Sequence, residues 1–220
     1  MQHLEDLWAQ ANDDDRKDGL AAYCFYRKQM MTFAHHYKTP LSRVTSAFVA
    51  LSPNSDYIGN LRSLTSVLEG VRAGLSAEEI TVSTYKACRN RAVQYLTGEA
   101  DFLRTVRGPK IRAFRDNILR PKTSRLVTVD GHMVAAFMGN PNMTMKDAAY
   151  HLTRRAQYNE IADAITAIAD NQGIAPCQAQ AVLWHARKRI FNIKFDAQTS
   201  LLDPFCVSTY PPYARNIEAK

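Results

Sequence analysis

Cysteine is scarce in this chain. Cys24, Cys88, Cys177 and Cys206 stand far apart among 220 residues with no Cys-x-x-Cys pair, so reduced thiols are expected and a zinc site is not. Strand signals are poor, which argues against a sheet. No stretch of about 18 uninterrupted apolar residues exists to cross a bilayer. The opening Met-Gln-His-Leu-Glu-Asp lacks the basic-then-apolar layout of a secretion signal, and a cytosolic location is expected. Internal repeats and low-complexity segments are missing as well. Acids are outnumbered: 28 Lys plus Arg against 21 Asp plus Glu give a formal charge of +7 and an isoelectric point near 9.3. The excess is uneven, since Arg104 to Arg125 holds eight basic residues and only Asp116 as an acid. A basic face of this kind suits a polyanion.

With 46% hydrophobic and 22% charged residues, the chain can bury a core as one compact unit or two small lobes. Apolar spacing favours helices nearly throughout. It predicts helices over Asp15–Tyr37, Leu41–Leu51, Asp56–Val71, Ser83–Leu96, Ala100–Val106, Pro109–Leu119 and Gly131–Phe137. Three more are expected from Met145 to about Leu152, Arg155 to Ala169 and Pro176 to Ile190, the second closed by Gly173 and the last opened by Pro176. From Asp203 the proline-bearing tail should be irregular.

The segment Gly108 to His132 carries the chemistry. Gly108-Pro109-Lys110 opens a basic helix, glycine permitting unusual backbone angles and proline losing nothing at a helix start. Twenty residues after Lys110, a short buried run over Leu126–Val129 delivers Asp130 to the start of the next helix, where aspartate is a good N-cap. One amine and one carboxylate thereby come together on either side of a turn.

This pattern resembles the helix-hairpin-helix DNA glycosylases, the superfamily of endonuclease III and 8-oxoguanine glycosylase. The matching residues are Gly108-Pro109-Lys110, then Val127-Thr128-Val129-Asp130-Gly131-His132, and upstream Ala50-Leu51-Ser52-Pro53-Asn54. The likeness is detailed over roughly Thr45 to Phe137, and it departs at the hairpin, where Val106 stands in place of the first glycine. It implies an all-α, two-lobed fold with the active site in the cleft between lobes. One lobe would comprise 1–40 plus 127–220, and a helical barrel lobe, 41–126, would carry the hairpin at about 98–120. It further implies a glycosylase with associated lyase activity acting on double-stranded DNA that contains a damaged or modified base. Lys110 would be the Schiff-base nucleophile, and Asp130 would stabilise charge on the sugar. Asn54 would enter the duplex where the base has left, and Arg107, Gly108, Arg112 and His132 would meet the DNA backbone. The iron–sulfur cluster of several such enzymes should be absent, because only Cys177 and Cys206 follow Asp130. No other cofactor is implied, and a monomer is expected.

Other conspicuous residues have plainer readings. Asp13-Asp14-Asp15 reads as a solvated cap, and His35-His36 as a helix end. Arg187-Lys188-Arg189 with Lys194 reads as cations meeting a helix dipole. Tyr85, Trp184 and Tyr158 read as core aromatics, while Gln178 and Gln180 could line a pocket. Two rival functions remain: a DNA-binding module that keeps the hairpin without chemistry, and a protein of the same fold that binds or modifies unusual bases. The basic hairpin yields a test. Arg107→Ala should weaken binding to damaged and undamaged duplexes alike, and flatten the slope of log affinity against log salt by about one unit. An unchanged slope in binding isotherms at several salt concentrations would place the DNA track elsewhere.

Overall fold

The computed structural model describes residues 2–193. Among these residues every regular element is helical: α1 Gln2–Ala9, α2 Asp13–His36, α3 Leu41–Leu51, α4 Tyr57–Arg72, α5 Lys86–Thr97, α6 Phe102–Thr105, α7 Pro109–Leu119, α8 Gly131–Phe137, α9 Met145–Thr153, α10 Arg155–Gln172 and α11 Pro176–Ile190, with a 3-10 turn at Ala77–Glu79. None of the helices is long and apolar enough to cross a membrane. The all-α expectation holds, and α3, α7, α8 and α11 carry their expected bounds. The irregular tail from Asp203, Cys206 and Lys194 lie outside the described residues.

Helix ends follow local chemistry. Asp130 and Asp56 cap α8 and α4 by accepting from Met133 N and Gly59 N. Gly173, at φ +66°, closes α10 in the left-handed region that suits glycine. The start of α2 is fixed by a reciprocal pair, Asp15 N to Asn12 Oδ1 at 2.9 Å and Asn12 N to Asp15 Oδ2 at 3.1 Å. Asp15 is also 4% exposed and ion-paired with Arg189 at 2.8 Å, so it is no solvated cap residue. The α1 helix has no counterpart among the expected elements; it buries Leu4 and Leu7.

The chain forms two compact units, one made of residues up to Arg27 together with the described residues from Leu103 onward, the other of Lys28–Phe102. These boundaries differ from 40/41 and 126/127 because α7 is bonded to the terminal segments. Phe114 meets Tyr23 and Tyr26 edge-on at 6.4 and 6.0 Å, Arg27 donates to Leu119 O, and Asn117 bonds Thr128 at 2.9 Å.

In the second unit, α3, α4 and α5 pack around Phe48, Leu64, Val67 and Ala92. Buried Arg89 ties the 3-10 turn down through Ile80 O, at 3.3 Å. In the first unit the core runs through Leu4, Val129, Met133, Ile161, Ile165 and Leu183. There Gly19 of α2 lies against α11 so closely that a Cβ would sit 2.5 Å from Val182 Cα. That neighbour is backbone and cannot swing aside. Gly19→Ala should therefore destabilise the protein by about 1–3 kcal/mol or more, as overpacking does; a denaturation midpoint unchanged from wild type would contradict this close approach.

Candidate functional site

The site is built in the first unit on a buried run outside any helix. Val127, Thr128 and Val129 are buried, while Leu126 is 46% exposed, so the buried stretch starts one residue later than the sequence suggested. Backbone buried outside a helix needs partners. Tyr158 supplies them: its hydroxyl donates to Val127 O at 2.7 Å and accepts from Val129 N at 3.3 Å. Burial pushes this phenol up to about 12, so it stays a donor at neutral pH. Beside the run, Thr128 joins Asn117, and Tyr23 donates to Gln180 Oε1 at 2.7 Å. Gln180 is thus committed to a buried bond, and Gln178 binds Ala175 N and Leu20 O.

The run ends at half-buried Asp130, whose Oδ1 accepts from Met133 N at 3.0 Å and starts α8. Two residues on, half-buried His132 meets α11. Arg187 Nη1 lies 3.0 Å from His132 Nδ1, and the Trp184 ring stands perpendicular to the imidazole with centroids 6.1 Å apart. His132 is held below the ordinary histidine range, chiefly by burial; Asp130 opposes this, and the charges of Arg187, Lys188 and Lys110 add to it. The same interactions place Lys110, half-buried in the first turn of α7, within electrostatic reach of this cluster.

Lys110 and Asp130 thus both act on His132, together with two cations that the sequence reading assigned to the helix dipole. Arg187 and Lys188 are only 3% and 6% exposed. Arg187 donates to Pro141 O at 3.4 Å and lies over the Phe191 ring, and no described residue bonds its buried Nε. Lys188 Nζ sits 4.1 Å above the Trp184 ring, a favourable cation–π placement. Their burial was legible in part, because they stand four residues beyond Leu183 and Trp184 on the same helix face. Only Arg189 of the trio is exposed. Trp184 is half-buried at this site rather than plain core, Tyr158 is core, and Tyr85 is 58% exposed in the other unit.

The remaining candidates are placed as follows. Arg107 and Gly108 are exposed in the turn between α6 and α7. Gly108 has φ −68°, an ordinary value, so glycine is not needed there for backbone reasons; a Cβ would meet nothing within 4 Å. Exposed Arg112 turns its guanidinium back onto Val106 O and Leu103 O and so ties the turn together. In the other unit, Asn54 is exposed at φ +55° in the turn between α3 and α4, a conformation asparagine tolerates. Thr84 holds that turn by donating to Pro53 O. The thiols of Cys24, Cys88 and Cys177 are unpaired with one another, and burial pushes Cys177 up to about 12, which leaves it a poor nucleophile. Among the described residues no cluster of His, Cys, Asp and Glu could hold a metal ion.

Fold and site together define an all-helical protein with a mostly cationic, partly buried cluster around one carboxylate. The chain belongs to DUF7178, a family of unknown function, whose profile matches residues 1–190. No curated protein and no solved structure matches it.

Burial also lowers His185. Both histidines bind a proton more weakly when folded, so below about pH 6.5 the unfolded chain takes up more protons and stability falls as pH drops. The urea midpoint should therefore decrease from pH 7.5 to 5.5, above the range of ordinary carboxylates. A His132→Gln, His185→Gln double variant should show a flatter profile; an equally steep one would assign the loss to other groups.

Proposed function

We propose that this protein is a DNA glycosylase of the helix-hairpin-helix type with associated lyase activity, acting on a damaged or modified base in duplex DNA. In this reading Lys110 Nζ attacks the sugar C1′ and the base departs with the electrons of the glycosidic bond, taking up a proton; the nitrogen then gives up a proton and its lone pair expels O4′ from C1′, which opens the ring to an imine and leaves O4′ as a hydroxyl. The resulting imine acidifies the C2′ proton, whose loss breaks the C3′–O bond by β-elimination. Asp130 faces the positive charge that develops on the sugar. The nucleotide must first leave the stack, which costs a few kcal/mol, least for a damaged or mispaired base. Arg107 and the open backbone at Gly108 suit phosphates, and Arg112 acts by holding the turn.

The observation that carries this reading is the common field on His132 of Lys110, Asp130, Arg187 and Lys188, which come from α7, the start of α8 and α11. An amine and a carboxylate separated by twenty residues both act on one imidazole, and the cations acting there outnumber the carboxylate, which favours a phosphodiester strand. A second reading has its own observation. The Asp130 carboxylate already serves as the N-cap of α8, a role that a protein binding or modifying unusual bases without glycosylase activity would equally use.

Borohydride trapping on duplexes that each contain one altered base separates the two. Wild type should become covalently linked to one class of lesion, and Lys110→Gln should abolish the adduct because only a primary amine gives a reducible imine. Asp130→Asn keeps a good cap, so stability should hold while turnover falls by orders of magnitude. Undiminished trapping by Lys110→Gln would exclude Lys110 as the nucleophile, and silence on every lesion would favour the binding-only reading.

A further inference from the structure

Arginine has donors and no acceptor. Arg187 Nη1 lies 3.0 Å from His132 Nδ1, so this bond forms only with Nδ1 as the acceptor, and the imidazole proton must reside on Nε2. We propose that Arg187 is a positioning residue that fixes His132 as the neutral, Nε2-protonated tautomer and presents that Nε2–H as a hydrogen-bond donor to a phosphate oxygen of the DNA strand. The tautomer follows from the pairing alone, whereas the phosphate contact rests on the DNA reading above.

Arg187 is built for this task. It is 3% exposed, with no described carboxylate at ion-pair distance, and its partners are an imidazole nitrogen, the Pro141 carbonyl and the Phe191 ring. All of these hold the guanidinium in place without neutralising it. Protonating Nδ1 would set an N–H against a guanidinium N–H and break the pair. The charged groups acting on His132 reinforce the same outcome: Lys110 on α7 and Arg187 and Lys188 on α11 oppose a second positive charge, and Asp130 at the start of α8 alone favours it. The ring is also fixed edge-on to Trp184. A neutral donor of this kind keeps the same protonation across the physiological range, unlike an ordinary histidine.

The tautomer can be read directly from two-bond proton–nitrogen correlations of the isotopically labelled full chain. In wild type, His132 should show a protonated Nε2 and a bare Nδ1 from pH 8 to 5.5. Arg187→Met, similar in bulk and without charge or donor, should give mixed tautomers and a titration midpoint rising toward the ordinary value of about 6.5; Arg187→Lys, which keeps a donor, should restore part of the wild-type pattern. A wild-type His132 protonated on Nδ1, or titrating normally, overturns the proposal without recourse to any variant. Unchanged tautomers in Arg187→Met overturn it too. Addition of a duplex containing a tetrahydrofuran abasic analogue should shift the Nε2 signal of wild type. With that duplex, the gain in affinity from pH 8 to pH 5.5 should be several-fold larger for Arg187→Met than for wild type. A correct tautomer whose Nε2 ignores the duplex overturns the phosphate contact and counts against the DNA reading, while the Arg187 pairing stands.

Discussion

One hydroxyl group determines whether the centre of the first unit can exist. Three consecutive buried residues, Val127 to Val129, run outside any helix through an interior that offers no strand among the described residues. Tyr158 answers one donor, Val129 N, and one acceptor, Val127 O, of that stretch with a single oxygen. Because burial keeps this phenol protonated, the arrangement survives throughout the neutral range. Without it, the run would carry orphaned polar groups at a cost of about 1–3 kcal/mol each, and Asp130 would lose its fixed approach to α8. The capping carboxylate and the helix that starts from it follow directly on that stretch.

Electrostatics then gives the site its character. Arg72, Arg120 and Arg125 take ion-pair partners at least partly in contact with solvent, where salt weakens such interactions, and Arg189 reaches the buried Asp15 from the surface. Arg187 instead rests among an imidazole, a carbonyl and an aromatic ring, withdrawn from water. A charge held this way is screened far less than one at the surface, so it acts on His132 and Asp130 with nearly constant strength as ionic conditions change.

Where the chain punctuates itself, its architecture was legible. Pro40, Pro109, Asp130, Gly173 and Pro176 mark helix ends, and the helices they bound were readable from periodicity. Short α1 was not, since its contribution to burial is two leucines and it lacks a distinctive cap. The pairing of α7 with the chain termini was hidden for another reason: it depends on Tyr23, Tyr26 and Thr128, which are remote in sequence and individually unremarkable. Lys110, Asp130 and His132 announced themselves through spacing. Arg187 and Lys188 did so only in part: their spacing from Leu183 and Trp184 pointed to a buried face, but a basic helix terminus has an adequate explanation in the dipole alone, and the contact with remote Pro141 could not be read from the sequence. Gly108 misled in the opposite direction, its conformation being one that any residue adopts.

The seclusion of Arg187 bears on how this family can be engineered. Replacing a buried charge by an apolar side chain of similar volume is often neutral or favourable for folding, and natural chains rarely sit at their stability optimum. Selection of variants for heat resistance alone should therefore drift toward methionine or leucine at position 187, whereas selection for whatever the protein does in its cell should hold the guanidinium in place. The position where those two selections diverge marks where thermodynamic economy has yielded to function.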